Sequence, residues 1–288
     1  MSIYYDSSDV QLHHGDALEV ARTLPDGMAR TIVTSPPYYG LRDYGEDGQI
    51  GAEASVGEYV ARMVEVFREL RRVLADDGTF WLNIGDSYLS DGLAGVPWRL
   101  ALALKEDGWS LRADVIWHKP KVLPESIKNR PTRSHEHIFM FAKVNSGYFY
   151  DHESVREAGA EASTRRYEAG FGGDKATALR AAGIRIAVEG KREYDGMRSL
   201  RDVWSVSPVS FPGAHFATYP PDLIRPCIRA GSEPGDIVLD PFSGSGTTGA
   251  VATFEGRRYV GIDLNREYLD LSLRTRFQQP ALPWGEAS

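Results

Sequence analysis

One stretch constrains the fold more than any other. Ile237-Val-Leu-Asp240 is a short apolar run, Gly244-Ser-Gly246-Thr-Thr-Gly249 follows at once, and Arg258-Tyr-Val-Gly-Ile262 comes after a helical pattern. Strand, glycine turn, helix and strand form a βαβ unit, and a G-x-G-x-x-G turn in that setting lets a ligand approach the backbone. Asp263, nineteen positions after Gly244, is placed to take ribose hydroxyls. Such a unit calls for a largely parallel sheet covered by helices, an α/β architecture.

Three ligands suit the turn: NAD, a nucleoside triphosphate and S-adenosylmethionine. No lysine follows the glycines, which disfavours the triphosphate. Asp240, an acid at the mouth of the turn, would repel a pyrophosphate and attract an ammonium group. The turn therefore leans toward the methyl donor.

Elsewhere short apolar runs alternate with helical periodicity. Thr31-Ile-Val-Thr34 reads as a buried strand. Gly57 to Leu74 places Val60, Met63, Val64, Phe67, Leu70 and Leu74 on one helical face. Asp76-Asp77-Gly78 reads as a turn into a strand at Thr79–Ile84. A helix is expected near Val96–Lys105, and strands at Leu111–Trp117 and His137–Lys143. Residues 145–203 are rich in Ala, Gly and charge with weak periodicity, as an inserted region would be. The expected division is 1–144, an insert at 145–205, and 206–288.

Thr34-Ser35-Pro36-Pro37-Tyr38-Tyr39-Gly40 carries the most chemistry. Two prolines end the strand, and neither has an N–H. The turn thus offers carbonyls and the Ser35 hydroxyl as rigidly held acceptors. An exocyclic base amine is a pair of N–H donors whose lone pair is delocalised into the ring. Accepting hydrogen bonds from it localises that lone pair toward an incoming methyl group. Tyr38 offers a flat surface for a base flipped from a duplex.

The order of these motifs resembles that of the β class of amino-group DNA methyltransferases, the N4-cytosine and N6-adenine family. The resemblance implies a Rossmann-like fold with a mixed seven-stranded sheet, helices on both faces and a permuted motif order. It assigns catalysis to Ser35, Pro36, Pro37 and Tyr38. Leu12–Asp16 resembles the element whose acid meets the cofactor adenine, which points to Asp16 and Ala17. Arg130-Pro-Thr-Arg-Ser-His-Glu-His137 resembles the element lining the target-base pocket. His215-Phe216-Ala-Thr218 resembles the contact to the donor's methionine portion. Asp240-Pro241-Phe242-Ser-Gly244-Ser245-Gly246-Thr247-Thr248 matches the cofactor motif, Asp263 its ribose acid, and Ser35 borders the same site. Asp86 occupies a family slot whose role the sequence does not explain. Pro226 departs from the pattern: within a helix it forfeits a hydrogen bond, so a later helix start is expected.

The formal charge of −7 argues against a nucleic-acid partner, yet it is unevenly spread. Arg112–Lys143 holds seven Lys/Arg against three Asp/Glu, and so does Thr164–Arg192. Lys119, Lys121, Lys128, Arg130, Arg133, Arg165 and Arg166 are the candidates for DNA phosphate, on double-stranded DNA. A solvated mixed-charge surface explains the same counts.

No run of eighteen apolar residues and no basic, apolar leader occurs, so a cytoplasmic enzyme is expected. The single Cys227 permits no internal disulfide. Pro226-Cys227 imitates the nucleophile dipeptide of C5-cytosine enzymes, but lies on an apolar helical face where a buried cysteine is the default. His135 and His137 share a strand face without a third ligand, so no metal is expected. Serine in the first catalytic position resembles N4-cytosine enzymes, and adenine N6 is the alternative. An NAD-dependent oxidoreductase is a remote reading that leaves Ser35–Tyr38 unexplained. The sequence leaves open a homodimer, a cognate restriction enzyme of a restriction-modification pair, and the DNA site recognised.

Overall fold

The computed structural model describes residues 2–41, 48–122, 124–159, 195–208 and 219–278. They fall into two units, 1–151 with 202–288, and 152–201. The larger unit is built on a sheet with strands β1 (Ser2–Asp6), β2 (Val10–His14), β3 (Ala29–Thr34), β4 (Leu74–Ile84), β7 (Ser110–His118), β8 (His135–Ala142), β11 (Val203–Ser205), β12 (Ile237–Asp240) and β13 (Arg258–Asp263). Two small two-stranded sheets pair β5 (Tyr88–Leu89) with β6 (Gly92–Leu93), and β9 (Glu157–Ala158) with β10 (Met197–Arg198).

Spatial order in the sheet is β1-β2-β13-β12-β3-β4-β8-β7-β11. Strands β2, β13, β12, β3 and β4 run parallel. β8 is antiparallel to both β4 and β7, and β1 to β2. Nine strands replace the expected seven. The additions are the outer strands β1 and β11, too short or too weakly patterned to be read.

Helices cover both faces. On one, α1 (Ala17–Ala21), α2 (Val56–Val73) and α3 (Val96–Glu106) pack over Ile32, Phe80, Leu82, Phe139 and Phe141. Phe80 is the hub, with its ring 4.6 Å from Phe67, 5.1 Å from Trp109 and 5.5 Å from Phe141. On the other lie α4 (Pro221–Gly231) and α5 (Thr247–Phe254), followed by α6 (Arg266–Ser272). A side chain at Gly231 would collide with Thr31 and Thr79 at 2.6 Å, and one at Gly249 with the Tyr259 ring at 2.5 Å. Close helix–sheet approach is thus written into two glycines.

Two local expectations are corrected, and a third is met inside a strand. The buried stripe of α2 is Tyr59, Met63, Val66, Phe67, Leu70 and Val73, while Val60 and Val64 are only half-buried. Tyr59 can go inside because its hydroxyl donates to the Pro37 carbonyl at 2.9 Å. Asp76-Asp77-Gly78 does bend the chain, but inside a strand: β4 spans Leu74–Ile84, and its register against β3 jumps from Ala29–Leu74 to Thr31–Thr79, so these residues bulge out of the ladder. Lys143 meets Asp76 at 2.8 Å, Arg30 meets Asp77, and bare Gly78 admits Leu74 and the Arg30 carbonyl, which lie within 3 Å of where a Cβ would sit. The helix holding Pro226 does not start late. It begins at Pro221 and carries Pro226 in its interior. One missing hydrogen bond is outweighed there by the burial of Leu223, Ile224, Cys227 and Ile228, each 0–1% exposed.

In the smaller unit, β9 pairs with β10, Arg156 donates to Asp195 at 2.7 Å, and Arg198 pairs with Glu157 at 2.8 Å. Among the described residues no helix is long and apolar enough to cross a membrane.

Candidate active site

The parallel strands β2, β13, β12 and β3 are consecutive neighbours, so the segments leaving their carboxyl ends stand in a row. Such edges are where open α/β sheets hold ligands. Asp16 follows β2, Asp263 closes β13, the glycine turn follows β12, and Ser35 follows β3.

Asp240 lies beneath the glycine turn rather than at its mouth. It is 1% exposed, and four donors meet its carboxylate: Thr34 Oγ1 at 2.5 Å, Thr248 Oγ1 at 2.6 Å, the Phe242 N–H at 3.0 Å and the Tyr219 hydroxyl at 3.4 Å. Burial pushes its pKa up, against the pull of those donors. The same burial, with Asp240 nearby, holds the Tyr219 phenol well above its ordinary value. Asp240 thereby ties β12 to β3 and to the first turn of α5.

The turn above has the conformation its glycines allow. Gly244 and Gly246 sit at φ +52° and +76°, a region other residues rarely enter. Asp263 fixes the loop from below, accepting from the Gly244 N–H at 2.6 Å and from the Asn265 N–H at 2.8 Å. Pro241, Ser245, Thr247 and Thr248 are buried, and Phe242 sets its ring edge-on to Phe67 at 6.5 Å. Asp16 caps α1 through the Glu19 N–H at 3.0 Å and pairs with Arg62 at 3.3 Å, beside buried Ala17. Glycines without side chains, an acid at the next strand end and a second acid beyond it fit a nucleoside-bearing donor. His215, Phe216, Thr218, Arg165 and Arg166 lie outside the described residues.

Ser35 and Tyr38 belong to a polar cluster that sequence reasoning did not assemble. Ser35 Oγ donates to the Tyr38 hydroxyl at 3.2 Å, which donates to Glu136 Oε2 at 2.8 Å. Asn83 Nδ2 lies 2.7 Å from the Tyr38 hydroxyl, 3.1 Å from Glu136 Oε2 and 3.3 Å from Ser35 Oγ. Lys119 donates to the other oxygen, Oε1, with its ammonium 4.2 Å above the Trp117 ring. Burial and the Glu136 charge together hold the Tyr38 phenol well above its ordinary pKa of 10.0. Gly85 makes room for the half-buried ring, since a Cβ there would stand 2.8 Å from Tyr38 Cε2. Tyr59 occupies the Pro37 carbonyl and Ser87 the Tyr39 carbonyl, while no side-chain donor among the described residues reaches those of Ser35 and Pro36.

Asp86, unexplained by sequence, caps α3. Its carboxylate accepts from the N–H groups of Ser87, Gly95 and Val96 at 2.9, 3.0 and 3.0 Å. Among the basic candidates, Lys121 and Lys128 are exposed and Lys119 is turned inward. Arg130 stacks 3.7 Å from the exposed Tyr88 ring and pairs with Glu125 at 2.7 Å, while Arg133 donates to the Asp86 carbonyl. Cys227 is fully buried, and burial pushes its thiol far up, so it offers no thiolate. His137 bonds Asp114 at 2.9 Å and stacks on Phe139.

A DNA methylase family model matches residues 29–274. The Type II methyltransferase M.Cfr9I of Citrobacter freundii is 46% identical over 291 residues, spanning 91% of this chain and 86% of that protein. PvuII DNA methyltransferase, described as cytosine-N4-specific, shares the fold at a TM-score of 0.71 with 23% identity, over 97% of this chain and 90% of that one. A Thermus thermophilus protein solved in complex with S-adenosyl-L-methionine aligns at a TM-score of 0.60 with 24% identity, over 93% of this chain and 94% of that one. The strand-end row, the glycine turn and the extent of these matches agree: the chain belongs to the N6/N4 family of DNA methylases, S-adenosylmethionine-dependent DNA methyltransferases.

Proposed function

We propose that the chain transfers the methyl group of S-adenosylmethionine to the exocyclic N4 of cytosine in double-stranded DNA. The order of the strand ends carries this reading. Asp16, Asp263, the Gly244–Gly246 turn and Ser35 follow one another across four adjacent strands, about 15 Å at the usual strand spacing. Adenine, ribose, the methionine portion and the target amine come in the same order when donor and acceptor are laid end to end.

The donor supplies an electrophilic methyl on a sulfonium; the protein's own residues do the rest. Asp263 takes the ribose hydroxyls while holding Gly244. Ser35 Oγ and the Ser35 and Pro36 carbonyls accept from the amine and aim its lone pair. The half-buried Tyr38 ring gives the extruded base a flat surface. Lys121, Lys128, Arg130 and Arg133 face the phosphates, and residues 145–205, which include the smaller unit, read the sequence.

A hydroxyl at Ser35 favours cytosine, as does the name of the PvuII enzyme. Digesting duplex DNA to nucleosides after incubation with the protein and donor tests the reading. N4-methylcytosine is expected, and N6-methyladenine alone would replace cytosine with adenine as the target.

A further inference from the structure

A methylated amine must lose a proton, and the Ser35 hydroxyl is a poor place to leave it. The exocyclic nitrogen shares its lone pair with the ring, so once it has taken the methyl group it is a much stronger acid than a carboxylic acid. Any carboxylate within reach can therefore accept its proton, even a weakly basic one.

The geometry points to Glu136 as that acceptor, reached from the target amine through the hydroxyls of Ser35 and Tyr38. The hydrogen bonds of the cluster all run one way. Ser35 Oγ donates to the Tyr38 oxygen at 3.2 Å, and Tyr38 donates to Glu136 Oε2 at 2.8 Å. With its own hydrogen turned toward Tyr38, Ser35 Oγ keeps a lone pair for the amine. Asn83 Nδ2 touches all three oxygens at 2.7–3.3 Å and holds them in line. Lys119 donates to the far oxygen of Glu136 and balances its charge, and the two side chains are only 19% and 15% exposed. Bulk water is thus largely kept from the carboxylate, and the two hydroxyls are its link to the turn.

The step balances. The amine nitrogen gains a bond to the methyl carbon as the carbon–sulfur bond breaks, and the electron pair stays on sulfur. The nitrogen's proton passes to Ser35 Oγ, the Ser35 proton to the Tyr38 oxygen, and the Tyr38 proton to Glu136 Oε2. One proton has moved, both hydroxyls are restored, and no oxidant or metal is consumed.

The inference rests on Ser35 being the amine acceptor, so the parent protein is assayed first. A parent that methylates no base amine overturns the functional reading and the relay together. Given a methylating parent, single-turnover transfer from labelled donor to duplex DNA is compared for the parent, Glu136→Gln, Tyr38→Phe and the double variant. Glutamine keeps the shape without the base, and phenylalanine keeps the ring without the hydroxyl. Each should slow transfer by about 100-fold or more, the usual range for a lost proton acceptor. The double variant should be no slower than the worse single one, because a chain is broken only once. Calorimetric affinity for the donor should stay within about twofold throughout, which separates the relay from a collapsed site.

In mixtures of light and heavy water the parent's rate should fall along a bowed curve, the mark of several protons in flight. Tyr38→Phe should straighten that curve. This measurement on the parent needs no folded variant. A parent rate that ignores heavy water, a Glu136→Gln rate within about twofold of the parent, or effects of the two variants that multiply would each overturn the relay.

Discussion

Thr34 Oγ1 lies 2.5 Å from Asp240 Oδ1, joining the last residue of β3 to the last residue of β12 across 206 positions of chain. The proposed catalytic turn and the proposed cofactor turn begin at these two residues. Thr34→Val removes one of four donors from a buried carboxylate while keeping the side chain's shape. The expected loss is about 1–3 kcal/mol of stability by urea denaturation, with weaker donor binding. Unchanged stability would mean that Asp240 does not need this donor.

Asp263 holds Gly244 and is proposed to take the ribose hydroxyls, so Asp263→Ala should weaken S-adenosylmethionine binding by about 1–3 kcal/mol in a calorimetric titration. Asp263→Asn, which can still accept from Gly244, should recover part of that. Equal affinity in parent and alanine variant would remove Asp263 from the site.

Gly249→Ala should be strongly destabilising although alanine favours helices. Its methyl would stand 2.5 Å from the Tyr259 ring, which is 1% exposed and bonded to Ser243 at 2.9 Å. Overpacking of this kind costs about 1–3 kcal/mol, readable as a lower Tm. The exposed Gly147 has open space around it but φ +78°, so alanine there should cost less.

Stability should depend on pH through His13. Burial pushes its imidazole below the ordinary 6.5, against the opposing pull of Asp6. The folded chain therefore prefers the neutral ring. The stability this contributes is present above about pH 6.5 and is lost as pH falls below it, because the unfolded chain takes up the proton more readily. Replacing His13 with glutamine should flatten this part of the acid limb in a series of urea midpoints. An unchanged limb would show that His13 titrates normally.

DNA affinity should fall steeply with salt, by about 0.9 log units per log unit for each phosphate met. Lys121→Gln and Lys128→Gln should each flatten that slope. Lys119→Gln should leave it alone, since that ammonium is committed to Glu136 and the Trp117 ring. A slope that responds to Lys119 and ignores the other two would reverse the assignment.

Gly244–Gly249 and Ser35–Tyr38 are legible in the sequence because each concentrates an unusual backbone within a few residues. Glu136 falls in a stretch the family resemblance already placed at the target-base pocket, but its meeting with Tyr38, and that of Asn83, is not legible, because they reach it from 98 and 45 positions away. Only the pairing of β4 with β8 brings them there. Asp240 misleads in another way: an acid beside a ligand turn reads as a contact, and three of its four donors appear only when β3, α5 and Tyr219 close over it. Asp76-Asp77-Gly78 has the composition of a turn and bulges out of the ladder accordingly, with Arg30 and Lys143 meeting its two carboxylates. Local signals give way where a distant partner satisfies the group that produced them.

Strand β8 runs against β4 and β7, so its first residues arrive where the others finish. Glu136 is therefore aimed by the alignment of a whole strand, since slipping β8 by one position would turn an imidazole, His135 or His137, toward Tyr38. That alignment is held by Phe139 and Phe141, packed with Phe80 and Trp109 on the opposite face. Phe141 stands five residues from Glu136, roughly 17 Å along the strand. If Glu136 serves as proposed, its aim is kept by an aromatic clamp on the far face of its own strand, and loosening that clamp would mistune the chemistry.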